Sequence, residues 1–230
     1  MIDKIKLDSV LQEIVSRWEI PGMSVGIVLN GEIAYTKVFG VQNLETKKPV
    51  SPDSIFCIAS ISKVFTATAI MQLAQRGAID LDAPVQKYLP YFNLDDDRYK
   101  LITIRQILSH ISGLPDFDYF EYEKLWRNPE YDDGAQERYV RDLSNRKMIA
   151  NPGEAFHYSN IGYNILGDVI AKVSGMPFEV YMKEQILFPS GMQRSAFLLN
   201  EVDPELLAFP HLRTPGMTPY PFYPYHRGDA

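Results

Sequence analysis

Residues 56–76 read FCIASISKVFTATAIMQLAQR, a run almost without charge that carries Ser60-Ile61-Ser62-Lys63 and continues through Val64, Phe65, Thr68, Ala69, Met71, Leu73 and Ala74. Apolar residues on most sides of a helix belong to one surrounded by protein, so the stretch from Ser60 to about Arg76 is expected to be a buried central helix. Within it the Ser60 hydroxyl and the Lys63 amine stand three residues apart, which puts them on one face about one turn apart. Serine at neutral pH is a poor nucleophile and needs a base in contact. A lysine in apolar surroundings can be that base, because burial disfavours its ammonium form. The free N–H groups of a helix start also favour the negative charge that develops on an attacked carbonyl oxygen. By itself the tetrad says little, since serine and lysine are common. A second copy, Ser144-Asn145-Arg146-Lys147, lies in a polar segment expected to face solvent.

Upstream of this helix, Leu7, Val10, Leu11, Ile14, Val15 and Trp18 recur at helical spacing between charges, which predicts an amphipathic N-terminal helix and not a signal peptide. Pro21-Gly22 then makes a turn, and MSVGIVL and EIAYTKVF form two β-rich runs joined by Asn30-Gly31. That dipeptide predicts a two-residue hairpin, because both of its positions need positive φ. Downstream, residues 80–175 read as a helical region cut by proline and glycine, followed by a helix over about Phe178–Phe188. From Phe209 onward Pro210, Pro215, Pro219, Pro221 and Pro224 alternate with aromatic residues, as suits an extended covering loop. With 230 residues, 46% of them apolar, the chain is long enough for one domain, 1–230, with a sizeable core.

A second chemical element is Tyr158-Ser159-Asn160, between a Pro-Gly turn and a helix start. A tyrosine can relay a proton, and an asparagine amide can bind a substrate carbonyl or orient a lysine. The alternative for Tyr158 is a packed aromatic and for Asn160 a helix cap. Tyr-x-Asn also recurs at Tyr91-Phe92-Asn93, so order and context decide. Four blocks supply that context: residues 56–90, ITIRQILSHISGLPD at 102–116, NPGEAFHYSNIGYNILGDVIAKVSG at 151–175, and ILFPSGMQRSAF at 186–197. Together they resemble the serine β-lactamase-related family, which includes class C β-lactamases, DD-peptidases and family VIII esterases. The resemblance implies an α/β (α+β) fold of the β-lactamase/transpeptidase type, an antiparallel sheet flanked by helices with a mostly helical subdomain. It also implies Ser60 as nucleophile, Lys63 as base, and Tyr158 and Asn160 as the second motif, with no cofactor.

One feature departs from the family pattern. A third motif, Lys-Thr-Gly or His-x-Gly on a later strand, has no Lys-Thr-Gly match here, and His226-Arg227-Gly228 fits only as letters, after a proline-rich loop. The sheet is therefore expected to be incomplete in this chain, with an unpaired strand edge that favours self-association. Gly22-Met23-Ser24-Val25-Gly26 spells a nucleophile elbow, but an elbow follows a strand and opens a helix, and this one follows a helix and opens a strand. Ser109-His110-Ile111-Ser112-Gly113 reads as a structural turn, and His157 and His211 lack a triad setting. The lone Cys57 cannot pair internally and is expected to be a small buried side chain, and no Cys/His spacing suggests a metal.

Twenty-three basic against twenty-nine acidic side chains, a net charge of −6, give no basic stripe for nucleic acid. No apolar run is long enough to span a bilayer, so a cytoplasmic location is the expectation. The expected function is a serine hydrolase acting on ester or amide carbonyls, including β-lactam or D-amino-acid peptide, through an acyl-enzyme. Without a leader, esterase or peptidase-like activity is favoured over β-lactamase. The alternative is a non-catalytic protein of the same fold that binds acyl-peptides.

Overall fold

The computed structural model describes residues 2–213 and 217–227. The chain forms two compact units, Met1–Cys57 with Val202–Tyr223, and Ile58–Glu201 with Pro224–Ala230.

In the first unit, helix α1 (Lys4–Arg17) begins where the Asp3 carboxylate accepts the Lys6 amide at 3.0 Å. Strands β1 (Gly22–Leu29) and β2 (Glu32–Gly40) pair antiparallel, with a register shift between Ile27 and Val28. Asn30 and Gly31 join them at φ 53° and 82°, the two left-handed positions that a tight turn of this kind requires. Alternation along β2 buries Tyr35 and Phe39 on one face, and the Tyr35 hydroxyl donates to Asp8 of α1 at 2.5 Å, tying helix to hairpin. The later segment of the unit is laced to the earlier one through backbone bonds, Ile55 N–H to Leu206 O and Ala208 N–H to Ile55 O, both at 2.8 Å. Within the expected covering loop, β3 (His211–Leu212) and β4 (Thr218–Pro219) pair as a short ribbon. The His211 ring accepts the Leu44 amide at 3.0 Å, a structural task.

The second unit is helical and holds most of the core. Its helices are α2 (Ser62–Gln75), α3 (Ile104–Leu108), α4 (Tyr119–Arg127), α5 (Ala135–Arg141), α6 (Asn160–Ser174) and α7 (Phe178–Met182), the last continuing as a π-helical turn over Lys183–Leu187. Its axis is α6, in which every residue from Ile161 to Ile170 is buried. The Ser159 side chain accepts the Gly162 amide to start this helix, and Gly175, at φ 70°, ends it. A Cβ on Gly162 would stand 2.9 Å from Ile107 Cγ2, so glycine is what lets α3 approach. Ile104, Ile107, Tyr139, Val140, Ile165, Leu166 and Val169 meet in one cluster. Truncating the fully buried Ile165 to alanine would cost about 2–5 kcal/mol.

Three expectations need correction. The helix enclosed along most of its length is α6, buried without a break from Ile161 to Ile170; α2 buries Thr66, Ala69, Ile70 and Leu73 but exposes Val64 and Met71, at 65% and 50%, because core packs against only one of its faces. The Ser60 segment opens as a 3₁₀ turn, Ala59–Ile61, with the α-helix proper beginning at Ser62. Cys57 is exposed, since it sits in an irregular stretch with no helix or strand to carry it into the core. Among the described residues no helix is long and apolar enough to cross a membrane.

Candidate active site

Ser60 lies in the 3₁₀ turn just before α2, and the residue preceding it, Ala59, has φ 45°. A side-chain-bearing residue reaches that region only at a cost of roughly 1–2 kcal/mol, so the backbone is strained one residue before the hydroxyl. Turning into α2 brings Lys63 back over Ser60, with Nζ at 3.3 Å from Oγ. From the other side of the sequence, the Tyr158 hydroxyl donates to the same Oγ at 2.7 Å. Lys63 Nζ also donates to Asn160 Oδ1 at 2.7 Å and stands 5.1 and 5.5 Å from the ring centres of Tyr158 and Tyr163. Ser60, Lys63, Tyr158 and Asn160, four residues that the sequence separates by up to a hundred positions, thus converge within one unit.

The geometry of Asn160 follows from its neighbours. Ser159 takes the capping role that Asn160 could have filled, leaving the Asn160 side chain free to turn inward. Asp116 then fixes that side chain. Its Oδ2 accepts from Asn160 Nδ2 at 2.9 Å and its Oδ1 from the Asn160 backbone N–H at 3.2 Å, from the Tyr122 hydroxyl at 2.9 Å and from the Phe117 N–H at 3.0 Å. A carboxylate accepts and cannot donate, so the amide nitrogen must face Asp116 and the amide oxygen must face Lys63. The negative charge also sits at the N-terminus of α6, where the helix dipole favours it.

His110 underlies Tyr158. The two rings stack with centroids 4.4 Å apart at 29°, and the imidazole Nδ1 accepts the Ser159 amide at 3.2 Å. Its backbone oxygen accepts the His157 amide at 2.7 Å. Burial, and next the charge of Lys63, push the imidazole below its ordinary value, against the opposing pull of Asp116. Tyr163 closes the far side, its hydroxyl donating to Leu108 O at 3.1 Å and held above its ordinary range by burial. Beside the amine, Val64, Ala67, Thr68 and Met71 line a shallow cavity of about 420 Å³.

Asp116, the His110 ring and Tyr163 escaped sequence reasoning. Asp116 stands 44 residues from Asn160, and its only signal was its place at the end of the block 102–116. The other named candidates fall elsewhere. Ser24 lies within β1 with a strand following. Lys147 is exposed and pairs with Asp95 at 3.6 Å. The Tyr91 hydroxyl donates to buried Asp168 at 2.7 Å. His226 is buried, Arg227 is held by ion pairs to Glu179 and Asp133, and Gly228 lies outside the described residues. No group of three or more His, Cys, Asp or Glu side chains suited to a metal ion occurs among the described residues.

Comparison with known proteins agrees with this architecture. Protein flp of Staphylococcus aureus (strain MW2) is 32% identical over 193 residues, which are 84% of this chain and 38% of flp. The octameric penicillin-binding protein homologue from Pyrococcus abyssi superposes with a TM-score of 0.82 at 34% identity, over 99% of this chain and 53% of that one. EstCE1, a hydrolase with promiscuous acyltransferase activity, superposes with a TM-score of 0.80 at 26% identity, over 95% of this chain and 58% of its own. The chain therefore spans about two-fifths of the length of flp and little more than half of these structures. Residues 7–226 match the Beta-lactamase family, and the chain, with its β-lactamase/transpeptidase-like fold, belongs to that family.

Proposed function

We propose that this chain forms an acyl-enzyme on Ser60 with ester or amide substrates, the class that includes β-lactams and D-amino-acid peptides. The observation that carries this reading is the double contact on one hydroxyl oxygen: Lys63 Nζ at 3.3 Å and the Tyr158 hydroxyl at 2.7 Å. A serine that merely caps a helix has no use for an amine and a phenol together. In its neutral form Lys63 keeps one N–H on Asn160 Oδ1 while its lone pair takes the Ser60 proton. As the Ser60 O–H bond breaks, Oγ bonds to the carbonyl carbon, and the proton passes through Lys63 and Tyr158 to the departing alcohol or amine. A water molecule, deprotonated by the same pair, then releases the acyl group and restores the Ser60 hydroxyl. The backbone N–H of Ser60 supplies one donor to the oxyanion. The likeness to EstCE1, a hydrolase with promiscuous acyltransferase activity, and to a penicillin-binding protein homologue fits this substrate class.

A fluorophosphonate probe tests the reading. Covalent labelling on Ser60, absent in Ser60→Ala and retained in Ser24→Ala, is the expected result. A folded protein that binds acyl-peptides and carries no label on Ser60 would replace catalysis with binding.

A further inference from the structure

Helix α3 ends in a paired-bond terminus: the His110 N–H bonds to Ile107 O at 3.0 Å and the Ile111 N–H to Gln106 O at 2.9 Å. This Schellman arrangement needs a left-handed residue at His110, whose φ is 55°. Glycine is the usual occupant, because a Cβ there is unfavourable. The next glycine, Gly113, takes the same kind of conformation without this cost. A side chain is therefore kept where the fold alone would do better with none, and its ring faces Tyr158 and accepts the Ser159 amide.

We propose that His110 is a positioning residue for the Ser60 site: its neutral imidazole accepts the Ser159 amide and carries the Tyr158 ring, so the site is assembled only while His110 is uncharged. The proposal rests on the reading of Tyr158 as a proton relay. Because Nδ1 accepts a backbone N–H, it holds no proton, and the ring proton lies on Nε2. Protonating Nδ1 turns the acceptor into a donor facing a donor, which breaks the bond to Ser159 and frees the segment that carries Tyr158. The new cation also meets Lys63 of α2. The remaining titratable neighbours are Asp116 from the loop before α4, Tyr158 and His157 from the segment entering α6, and Tyr163 of α6. Of these only Asp116 brings a negative charge, and it is already engaged by Asn160, Tyr122 and Phe117.

Two variants isolate the ring from the fold. His110→Gly keeps the left-handed backbone and removes the ring. His110→Asn tolerates the same backbone, and its Oδ1 takes the place of Nδ1 as acceptor without titrating. The first measurement is the rate of Ser60 labelling by a fluorophosphonate against pH. His110→Gly is expected to lose about tenfold or more at the plateau with unchanged thermal stability, and His110→Asn, which restores the acceptor to Ser159 but not the stacked ring, to recover part of that loss. In the parent chain the logarithm of the rate should steepen by about one unit per pH unit below the His110 pKa, and in His110→Asn it should not. The second measurement needs no activity: by NMR, the Ser159 amide and the Tyr158 ring should follow the His110 titration in the parent chain and stay flat in His110→Asn. A His110→Gly plateau equal to the parent's, or a Ser159 amide indifferent to that titration, overturns the proposal. If Ser60 takes no label at all, the catalytic reading fails, and the NMR titration still decides the role of His110.

Discussion

Ser60-Lys63 and Ser144-Lys147 are one tetrad in two settings, and Tyr158-Asn160 and Tyr91-Asn93 are one pair in two settings. At the first site the amine bends back to its serine and onward to Asn160, with the Tyr158 hydroxyl on the same oxygen. At the second tetrad the chain is a short 3₁₀ turn that ends at Asn145, and Lys147 reaches out to Asp95 across open surface. Tyr91 likewise spends its hydroxyl on the buried carboxylate of Asp168, and Asn93 turns back to bond its own loop at Tyr91 O. The same residue types thus converge on one hydroxyl in one place and serve packing or surface pairing in the other. The difference lies in what the surrounding helices bring to them.

The sharpest way to break this comparison is to exchange serines. Ser60→Ala should lower acylation by a fluorophosphonate and turnover of p-nitrophenyl acetate by about a thousandfold or more, while Ser144→Ala stays within about twofold of the parent. A dead Ser144→Ala variant would reverse the assignment. The tyrosines come next. Tyr158→Phe should cost about a hundredfold or more in the same rates with little change in stability, since the residue is 44% exposed. Tyr91→Phe should leave the rates alone and lower stability by about 1–3 kcal/mol in urea, because it strands the Asp168 carboxyl in the core.

Asp116→Asn refines the first site. Losing the acceptor-only group frees the Asn160 amide to flip and present N–H groups to Lys63, and the expected drop in acylation rate is about ten- to a hundredfold. A rate equal to the parent's would mean that the amide orientation does not matter. The smallest effect is expected at Asp168. Burial lifts its carboxyl above the ordinary range, against the bond from Tyr91, so the folded chain holds that proton to higher pH than the unfolded chain does. Stability from the neutral acid is complete below the unfolded value and is lost as the pH rises through the folded value. Asp168→Asn, neutral throughout, should therefore gain in melting temperature relative to the parent as the pH rises above the ordinary aspartate value of about 4. A difference that stays constant over that rise would remove the burial argument.

What the sequence by itself determined is local. Asn30-Gly31 set the hairpin turn, and the three-residue interval from Ser60 to Lys63 placed hydroxyl and amine one helical turn apart. Each of these follows from the φ/ψ preferences and periodicity of residues that are neighbours along the chain. The resemblance of four blocks extended that reach to Tyr158 and Asn160, but it did not reveal what holds them. The tertiary structure decided that Asp116 orients Asn160 from 44 residues away and that Tyr158 meets Ser60 from 98 residues away. It also decided that a turn histidine carries the tyrosine ring, that Cys57 is exposed, and that α6, with α2 only half enclosed, forms the buried axis. Such meetings are selected by the burial of the α6 face against α2, α3 and α5, which offsets the entropy of closing the long intervening loops. No spacing within a single segment encodes which distant polar group that burial will bring alongside.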